Sequence, residues 1–145
     1  MGLTNKFINK RIFLDTAPLI YYIEENSLYE NLLNDLFAVC EKQKCQFISS
    51  VITLTEVLIL PLREGKKELA EKYENILTHS HSIEIIDINV DIAKVTAQLR
   101  ADYSLKTPDA IQLATAIYSY ADYFLTNDKR LKIIKEVQVI TLNDL

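Results

Sequence analysis

The chain has 145 residues and a formal net charge of −4, and 49% of its residues are hydrophobic and 25% charged. A chain of this length fits one domain that buries about two-thirds of its unfolded surface, and only 2 Gly and 3 Pro leave little room for linkers. We therefore expect one domain over residues 1–145. The acidic balance argues against a non-specific nucleic-acid coat, and no apolar run approaches the roughly 18 residues that span a bilayer, so we expect a soluble, cytoplasmic protein without a membrane partner.

Short apolar runs alternate along the chain with longer segments of helical periodicity. The predicted strands are Arg11–Leu14, Gln46–Ser49, Ile83–Ile86, Tyr123–Thr126 and Val137–Ile140. The predicted helices run through Pro18–Tyr22, over Leu28–Lys44, from a Ser50 cap to Pro61, and over Lys66–Thr78, Val90–Tyr103 and Pro108–Tyr120. This alternation predicts an α/β fold, a three-layer α/β/α sandwich with a mostly parallel, roughly five-stranded sheet.

Four acids interrupt apolar surroundings. Asp15 and Asp128 each directly follow a predicted strand, where the functional crevice of an open parallel sheet lies. Glu56 is about two turns into the helix after the second strand, and Asp109 is in the first turn of the helix before the fourth. If the first and fourth strands are neighbours, all four acids border one cleft.

Each acid also has an ordinary structural explanation. Thr107 can cap a helix whose first turn favours a carboxylate at Asp109. Asp15 alone could be a helix cap, and Asp128 alone could form a turn after Thr126. Glu56, the only charged residue from Phe47 to Leu62, could lie on an exposed stripe with Thr53. The shared placement of the acids at strand and helix ends favours a common site.

The donor chemistry of these acids points to a hard cation. Carboxylates without nearby His or Cys favour Mg²⁺ or Mn²⁺. His79 and His81 lie in a polar stretch that predicts solvent-facing loop residues, and Cys40 and Cys45 lack a metal-finger spacing or the density of a disulfide scaffold, so we expect reduced thiols. Without a histidine base, a catalytic triad or a phosphate-binding loop, the remaining chemistry is metal-assisted phosphodiester cleavage.

With these four acids in this order, the sequence resembles the PIN domain family, especially the small VapC-type ribonuclease toxins. Four stretches in order carry the resemblance: Phe13-Leu14-Asp15-Thr16, Ser50 to Leu58 around Glu56, Leu105 to Ala114 around Asp109, and Leu125 to Leu131 around Asp128. The resemblance spans Arg11 to about Leu142. Any one motif is weak, but four in order at these separations are specific.

The resemblance implies a Mg²⁺- or Mn²⁺-dependent endoribonuclease, the toxin of a type II toxin–antitoxin pair, with RNA as its substrate. Asp15, Glu56, Asp109 and Asp128 would surround the metal; Thr126 matches a supporting hydroxyl, Asn127 would help to orient metal or water, and Thr16 is a weaker supporting candidate. A homodimer and a protein antitoxin whose peptide blocks the cleft are also implied. The alternatives are a PIN nuclease for RNA processing or DNA outside a toxin pair, and a non-catalytic module that binds RNA or protein.

Two further patterns have two interpretations each. The helix around Tyr21 and Tyr22 and the helix from Leu28 to Cys40 carry apolar and aromatic surface that serves the core or an interface. Basic residues cluster near two of the acids, as solvated helix faces or as local positive charge for RNA. These residues are Arg100, Lys106, Lys129, Arg130 and Lys132.

Overall fold

The computed structural model describes residues 2–42 and 44–145, and the side chains from Asn5 onward. Five strands form one sheet in which every pairing is parallel: β1 Arg11–Leu14, β2 Gln46–Ser50, β3 Ile83–Ile86, β4 Tyr123–Thr126 and β5 Gln138–Thr141. The order across the sheet is β3-β2-β1-β4-β5. In the central pairs Ile12 lies beside Phe47 and Phe13 beside Phe124. The first and fourth strands are therefore neighbours, which is the pairing that a common cleft for the four acids requires.

Seven α-helices lie within the described ranges: α1 Gly2–Phe7, α2 Thr16–Ile23, α3 Glu30–Glu41, α4 Val51–Arg63, α5 Lys67–His79, α6 Val90–Asp102 and α7 Thr107–Tyr118. Two short 3-10 helices, Lys129–Ile133 and Leu142–Asp144, flank β5. The helix α1 was not predicted. Among its side chains from Asn5 onward, the deeply buried apolar one is Phe7, which packs edge-on against Tyr123. The helix predicted over Leu28–Lys44 is shorter than expected, and residue 43 lies outside the described residues. None of the described helices could span a membrane.

Two apolar cores cover the two faces of the sheet, as the three-layer prediction requires. Successive residues of a strand point to opposite faces. Ile12 and Leu14 thus belong to the core beneath α1 to α5, whereas Phe13 belongs to the core beneath α6 and α7, where it stacks on Phe124 with ring centroids 5.2 Å apart. Each such side chain contributes roughly 1.5–3 kcal/mol of burial. The sheet between these cores is a rigid support for residues at its carboxyl edge.

The two cysteines form a disulfide, so the prediction of reduced thiols is wrong. The chain reverses direction between the end of α3 and the start of β2, which brings the Cα atoms of Cys40 and Cys45 to 4.6 Å. This separation is within the usual range for a bridge. Two cysteines in 145 residues are too few to predict a disulfide from their density. His79 and His81 are both exposed, as predicted, but only His81 lies in the loop, because His79 is the last residue of α5.

The aromatic surface of α2 and α3 belongs largely to the core. Tyr22 stacks on Phe37 with ring centroids 3.6 Å apart, and Tyr21 stacks on Tyr29 at 5.4 Å. Leu28, just before α3, is 77% exposed, and further exposed apolar side chains lie near the end of α4, at Ile59, Leu60 and Leu62. Of the two interpretations, the core therefore accounts for most of the α2 and α3 surface.

Candidate active site

Asp15 joins the end of β1 to the start of α2. Its Oδ1 accepts a 2.9 Å hydrogen bond from the backbone N–H of Thr16, so Asp15 does cap α2. Its Oδ2 accepts a second hydrogen bond, 2.8 Å, from the hydroxyl of Thr126 at the end of β4. The structural explanation and the shared site are thus compatible, because each uses a different oxygen of one carboxylate.

Thr126 connects the two acids that follow strands. Its side chain is only 1% exposed. While its hydroxyl donates to Asp15, the same oxygen accepts a 3.1 Å hydrogen bond from the backbone N–H of Asp128. A hydroxyl that donates once and accepts once in a buried position has little freedom to rotate. Thr126 therefore fixes the carboxylate of one strand end relative to the backbone of the other.

Glu56 reaches the same edge of the sheet from α4. Its side chain is exposed, and its Oε1 accepts a 2.8 Å hydrogen bond from the hydroxyl of Thr16. Thr16 thus contacts two of the four acids, Asp15 through its backbone and Glu56 through its side chain. The suggested exposed stripe of Glu56 with Thr53 is wrong in one respect, because Thr53 is fully buried.

Asp109 and Asp128 border one small groove of about 140 Å³, which we call the acid groove; its other lining residues are Ser104, Leu105, Lys106, Arg130, Leu131 and Ile133. Asp109 is in the first turn of α7, as predicted. The cap prediction for Thr107 is wrong, because α7 begins at Thr107 itself after Lys106, without a side-chain cap. The hydroxyl of Thr107 instead accepts a 2.9 Å hydrogen bond from Arg100.

Arg130 forms a bidentate contact with the carboxylate of Asp128. Its Nε lies 3.0 Å from Oδ1 and its terminal nitrogen 2.8 Å from Oδ2. The backbone N–H of Arg130 also donates to Oδ1, so Asp128 caps the 3-10 helix that follows β4. These hydrogen bonds hold the pKa of Asp128 below its ordinary value. Asp128 is therefore ionised and engaged by a cation of its own chain.

The acids repel one another. Burial raises the pKa of Asp15, and the charges of Asp109 and Glu56 add to the rise against the opposing hydrogen bonds from Thr126 and Thr16. Burial also raises the pKa of Asp109, followed by the charge of Asp128. Each acid thus repels its neighbour along a row that runs from Glu56 through Asp15 and Asp109 to Asp128. A divalent cation would offset this repulsion.

The row fits a hard cation by its chemistry, since all four donors are carboxylate oxygens. Within residues 2–42 and 44–145, however, no three His, Cys, Asp or Glu side chains converge closely enough to hold one ion. The carboxylate of Asp128 is engaged by Arg130, and that of Glu56 by Thr16. The fold therefore brings the acids to one edge of the sheet, whereas the side chains of Asp15, Glu56 and Asp128 are held by protein partners.

Asn127, predicted to orient metal or water, is exposed beside Asp128. Its amide nitrogen donates a 3.2 Å hydrogen bond to the hydroxyl of Tyr21, whose ring stacks on Tyr29. The amide is thus directed toward α2 rather than toward the acids. Its supporting role stays a prediction.

A buried amide that sequence reasoning missed joins the helices that carry Glu56 and Asp109. Gln112, 2% exposed, accepts a hydrogen bond from the hydroxyl of Ser50 and donates one of 2.5 Å to the hydroxyl of Thr53. Gln112 lies one turn after Asp109, and Thr53 one turn before Glu56. The sequence does mark Gln112 as unusual, because it is a long polar side chain in the mostly apolar segment from Ala110 to Ala116. Its partners could not be read from the sequence, since they are 59 and 62 residues away.

A cavity larger than the acid groove lies elsewhere. It measures about 570 Å³ and occupies the amino edge of the sheet, where Lys10, Lys44 and His81 line it. None of the four acids lines it. Size alone is therefore a poor guide to the candidate site in this protein.

The chain is similar to known proteins in its sequence profile and in its fold. Residues 12–137 match the sequence profile of the PIN domain, and no curated protein matches the chain. A chain in the VapBC2 complex from Rickettsia felis, bound to promoter DNA, superposes with a TM-score of 0.73 at 21% identity over 90% of this chain and 98% of that one. A chain of a toxin–antitoxin complex from Klebsiella pneumoniae superposes with a TM-score of 0.69 at 28% identity, over 90% of this chain and 97% of that one. VapC20 from Mycobacterium tuberculosis, a Sarcin-Ricin loop cleaving toxin, superposes with a TM-score of 0.66 at 16% sequence identity, over 88% of this chain and 98% of that one.

Proposed function

This chain belongs to the PIN domain family, and from that premise we propose that it is a metal-dependent endoribonuclease that acts as the toxin of a type II toxin–antitoxin pair. The observation that carries the proposal is the row of four acids at the carboxyl edge of the sheet, three of which, Asp15, Glu56 and Asp128, are connected through Thr16 and Thr126. The similarity to chains from toxin–antitoxin complexes supports the toxin role.

Asp15, Glu56, Asp109 and Asp128 would hold Mg²⁺ or Mn²⁺, which supplies an acidified water and offsets charge on the phosphate. The residues of this chain prepare that site. Thr126 keeps Asp15 turned toward β4, and Thr16 keeps Glu56 beside Asp15. To hold the ion, Asp128 would exchange its contact with Arg130. The guanidinium would then be free to pair with an RNA phosphate, whose oxygens match its two parallel N–H donors.

The antitoxin and a second copy of the chain are the proposed protein partners. The solved complexes similar to this chain contain an antitoxin or are described as toxin–antitoxin systems. The exposed side chains of Ile59, Leu60 and Leu62 follow Glu56 on the same helix and supply an apolar surface next to the site. A peptide that covers this surface would also pass close to Glu56, which supports inhibition by blocking the cleft. Cytoplasmic location remains a prediction.

An RNA-processing nuclease outside a toxin pair is the second candidate. It would use the same acids, so the site does not separate the two functions. A non-catalytic binding module is disfavoured, because a module that only binds RNA gains nothing from a row of mutually repelling carboxylates.

Cleavage of labelled RNA with Mg²⁺ or Mn²⁺ tests the enzyme. Wild type should cleave, and Asp15→Asn and Asp109→Asn should lose activity by at least two orders of magnitude. Asp91→Asn is the matched control, because Asp91 is an exposed acid in the first turn of α6. Equal activity in all four proteins contradicts the proposal. Growth arrest on expression, relieved by the same two substitutions, separates a toxin from a processing enzyme, whose expression should be harmless.

A further inference from the structure

The acid groove combines three kinds of lining that no single structural role explains. Asp109 and Asp128 supply negative charge, Lys106 and Arg130 supply positive charge, and Ile133 supplies apolar surface. Four of these five residues are charged, and they come from two separate segments, the start of α7 and the 3-10 helix after β4 with its cap. A groove that served only a cation would have no use for the lysine, the guanidinium or the isoleucine.

We infer that the acid groove is the subsite for one nucleotide next to the scissile bond, with its base on Ile133 and its phosphate between Lys106 and Arg130. The inference rests on the proposed function and assigns to that reaction a substrate contact and a candidate determinant of base preference. It explains the mixed lining, because a nucleotide presents an apolar ring face and an anionic phosphate a few atoms apart.

The apolar part of the groove is exposed in a way that suits a base. Ile133 is 54% exposed at the end of the 3-10 helix, while the neighbouring Leu105 is almost fully buried. A single exposed isoleucine is normal on a protein surface. This one, however, borders the same groove as two of the candidate metal-binding acids. Single-stranded RNA is recognised largely through the flat faces of unstacked bases, which an apolar side chain can cover.

The two cations are placed to accept a phosphate rather than to neutralise the acids completely. Both Arg130 and Lys106 line the same groove as Asp109. Arg130 alone is engaged, with Asp128. In the described residues Lys106 makes no salt bridge within 4 Å. An RNA phosphate beside the acids would therefore meet one unpaired lysine and one guanidinium.

The size of the groove limits what it can hold. About 140 Å³ is well below the roughly 300–1,000 Å³ of pockets that enclose a whole drug-sized ligand. The groove is therefore too small to enclose a whole nucleotide. The phosphate enters it between Lys106 and Arg130, the base lies over the exposed side chain of Ile133 at its border, and the rest of the RNA continues along the surface.

Abasic substitution in the substrate tests the subsite. The probes are a labelled RNA oligonucleotide that the wild type cleaves at one bond, and two copies with an abasic nucleotide on either side of that bond. For wild type, kcat/KM should fall roughly tenfold with one of the abasic copies, as expected for the loss of one base contact. For Ile133→Ser the same abasic copy should cost less than about twofold, because the contact is already absent.

The control is Val90→Ser, an exposed aliphatic residue at the start of α6, which should keep the tenfold sensitivity of the wild type. Equal abasic sensitivity in wild type and Ile133→Ser, or none on either side in wild type, overturns the subsite while RNA cleavage itself stands. If the wild type cleaves no RNA, the proposed function fails and the subsite fails with it. Thermal melting of both variants should match the wild type, since both side chains are exposed.

Discussion

The hydroxyl of Thr126 donates a 2.8 Å hydrogen bond to Oδ2 of Asp15 across the pair of strands β1 and β4. The two residues are 111 positions apart in sequence, yet they occupy equivalent positions at the ends of neighbouring parallel strands. The contact makes the pairing of these strands a condition for the candidate site, because a different strand order would separate Asp15 from Asp128.

Thr126→Val should weaken the site more than the fold. Valine fills the same space but cannot donate to Asp15, and the backbone N–H of Asp128 also loses its acceptor. We expect kcat to fall about tenfold and the Mn²⁺ concentration for half-maximal activity to rise, with a stability loss of about 1–3 kcal/mol. Thr96→Val, which removes a buried hydroxyl in α6, should change stability alone. Unchanged Mn²⁺ dependence in Thr126→Val would mean that Asp15 does not need this partner.

Asp109→Asn should raise the melting temperature of the metal-free protein at pH 7. The pKa of Asp109 is raised in the fold by burial and by Asp128. A raised pKa means that the acid's contribution to stability is fully present below its ordinary pKa of 3.8 and is lost as the pH rises through the folded value. The gain from Asn should therefore shrink as the pH falls toward 4.

The control for this pH effect is Asp91→Asn, which removes an exposed acid from the first turn of a different helix and so shares any loss of interaction with the helix dipole. Melting curves in EDTA between pH 4 and pH 8 provide the measurement. A destabilised Asp109→Asn protein at pH 7 would contradict the proposed repulsion within the acid row.

Arg130→Gln should separate ion binding from RNA binding. Loss of the guanidinium frees Asp128, so Mn²⁺ should bind a few-fold more tightly in calorimetric titration without RNA. The same change removes a phosphate partner, and KM for RNA should rise. Lys94→Gln, an exposed lysine on α6, should alter neither quantity. Weaker Mn²⁺ binding by Arg130→Gln would show that the arginine organises Asp128 instead of competing for it.

Gln112→Leu should impair both stability and kcat, because it leaves the hydroxyls of Ser50 and Thr53 without their buried partner. Each unpaired buried group costs about 1–3 kcal/mol. In the double variant with Thr53→Val, one of the two hydroxyls is gone, and part of the stability should return. If Gln112 positions the helices of Glu56 and Asp109, kcat should stay low in the double variant. Recovery of kcat together with stability would reduce Gln112 to a purely structural role.

The strands could be predicted, with bounds correct to within one residue, because each is a short apolar run between breaks; β2 ends one residue later than predicted, and β5 begins and ends one residue later. The prediction that Asp15 and Asp128 share an edge followed from this pattern and needed only one strand pairing. The absence of a side-chain cap on α7 could not be predicted, because the hydroxyl of Thr107 pairs with Arg100, which lies on another helix. The same limit applies to Gln112, whose partners lie on α4 and at the end of β2. Local patterns specify the elements, whereas contacts between distant elements decide which polar groups pair.

The central claim is that Asp15, Glu56, Asp109 and Asp128 act together on one metal-dependent cleavage of RNA. Its most direct test is the rate of cleavage of one labelled RNA as a function of Mn²⁺ concentration, for the wild type, the four single acid-to-amide variants and Asp91→Asn. We predict metal-dependent cleavage by the wild type and Asp91→Asn, and a loss of at least two orders of magnitude in each of the four variants. Cleavage that needs no divalent ion, or that survives in the four variants, would contradict the claim.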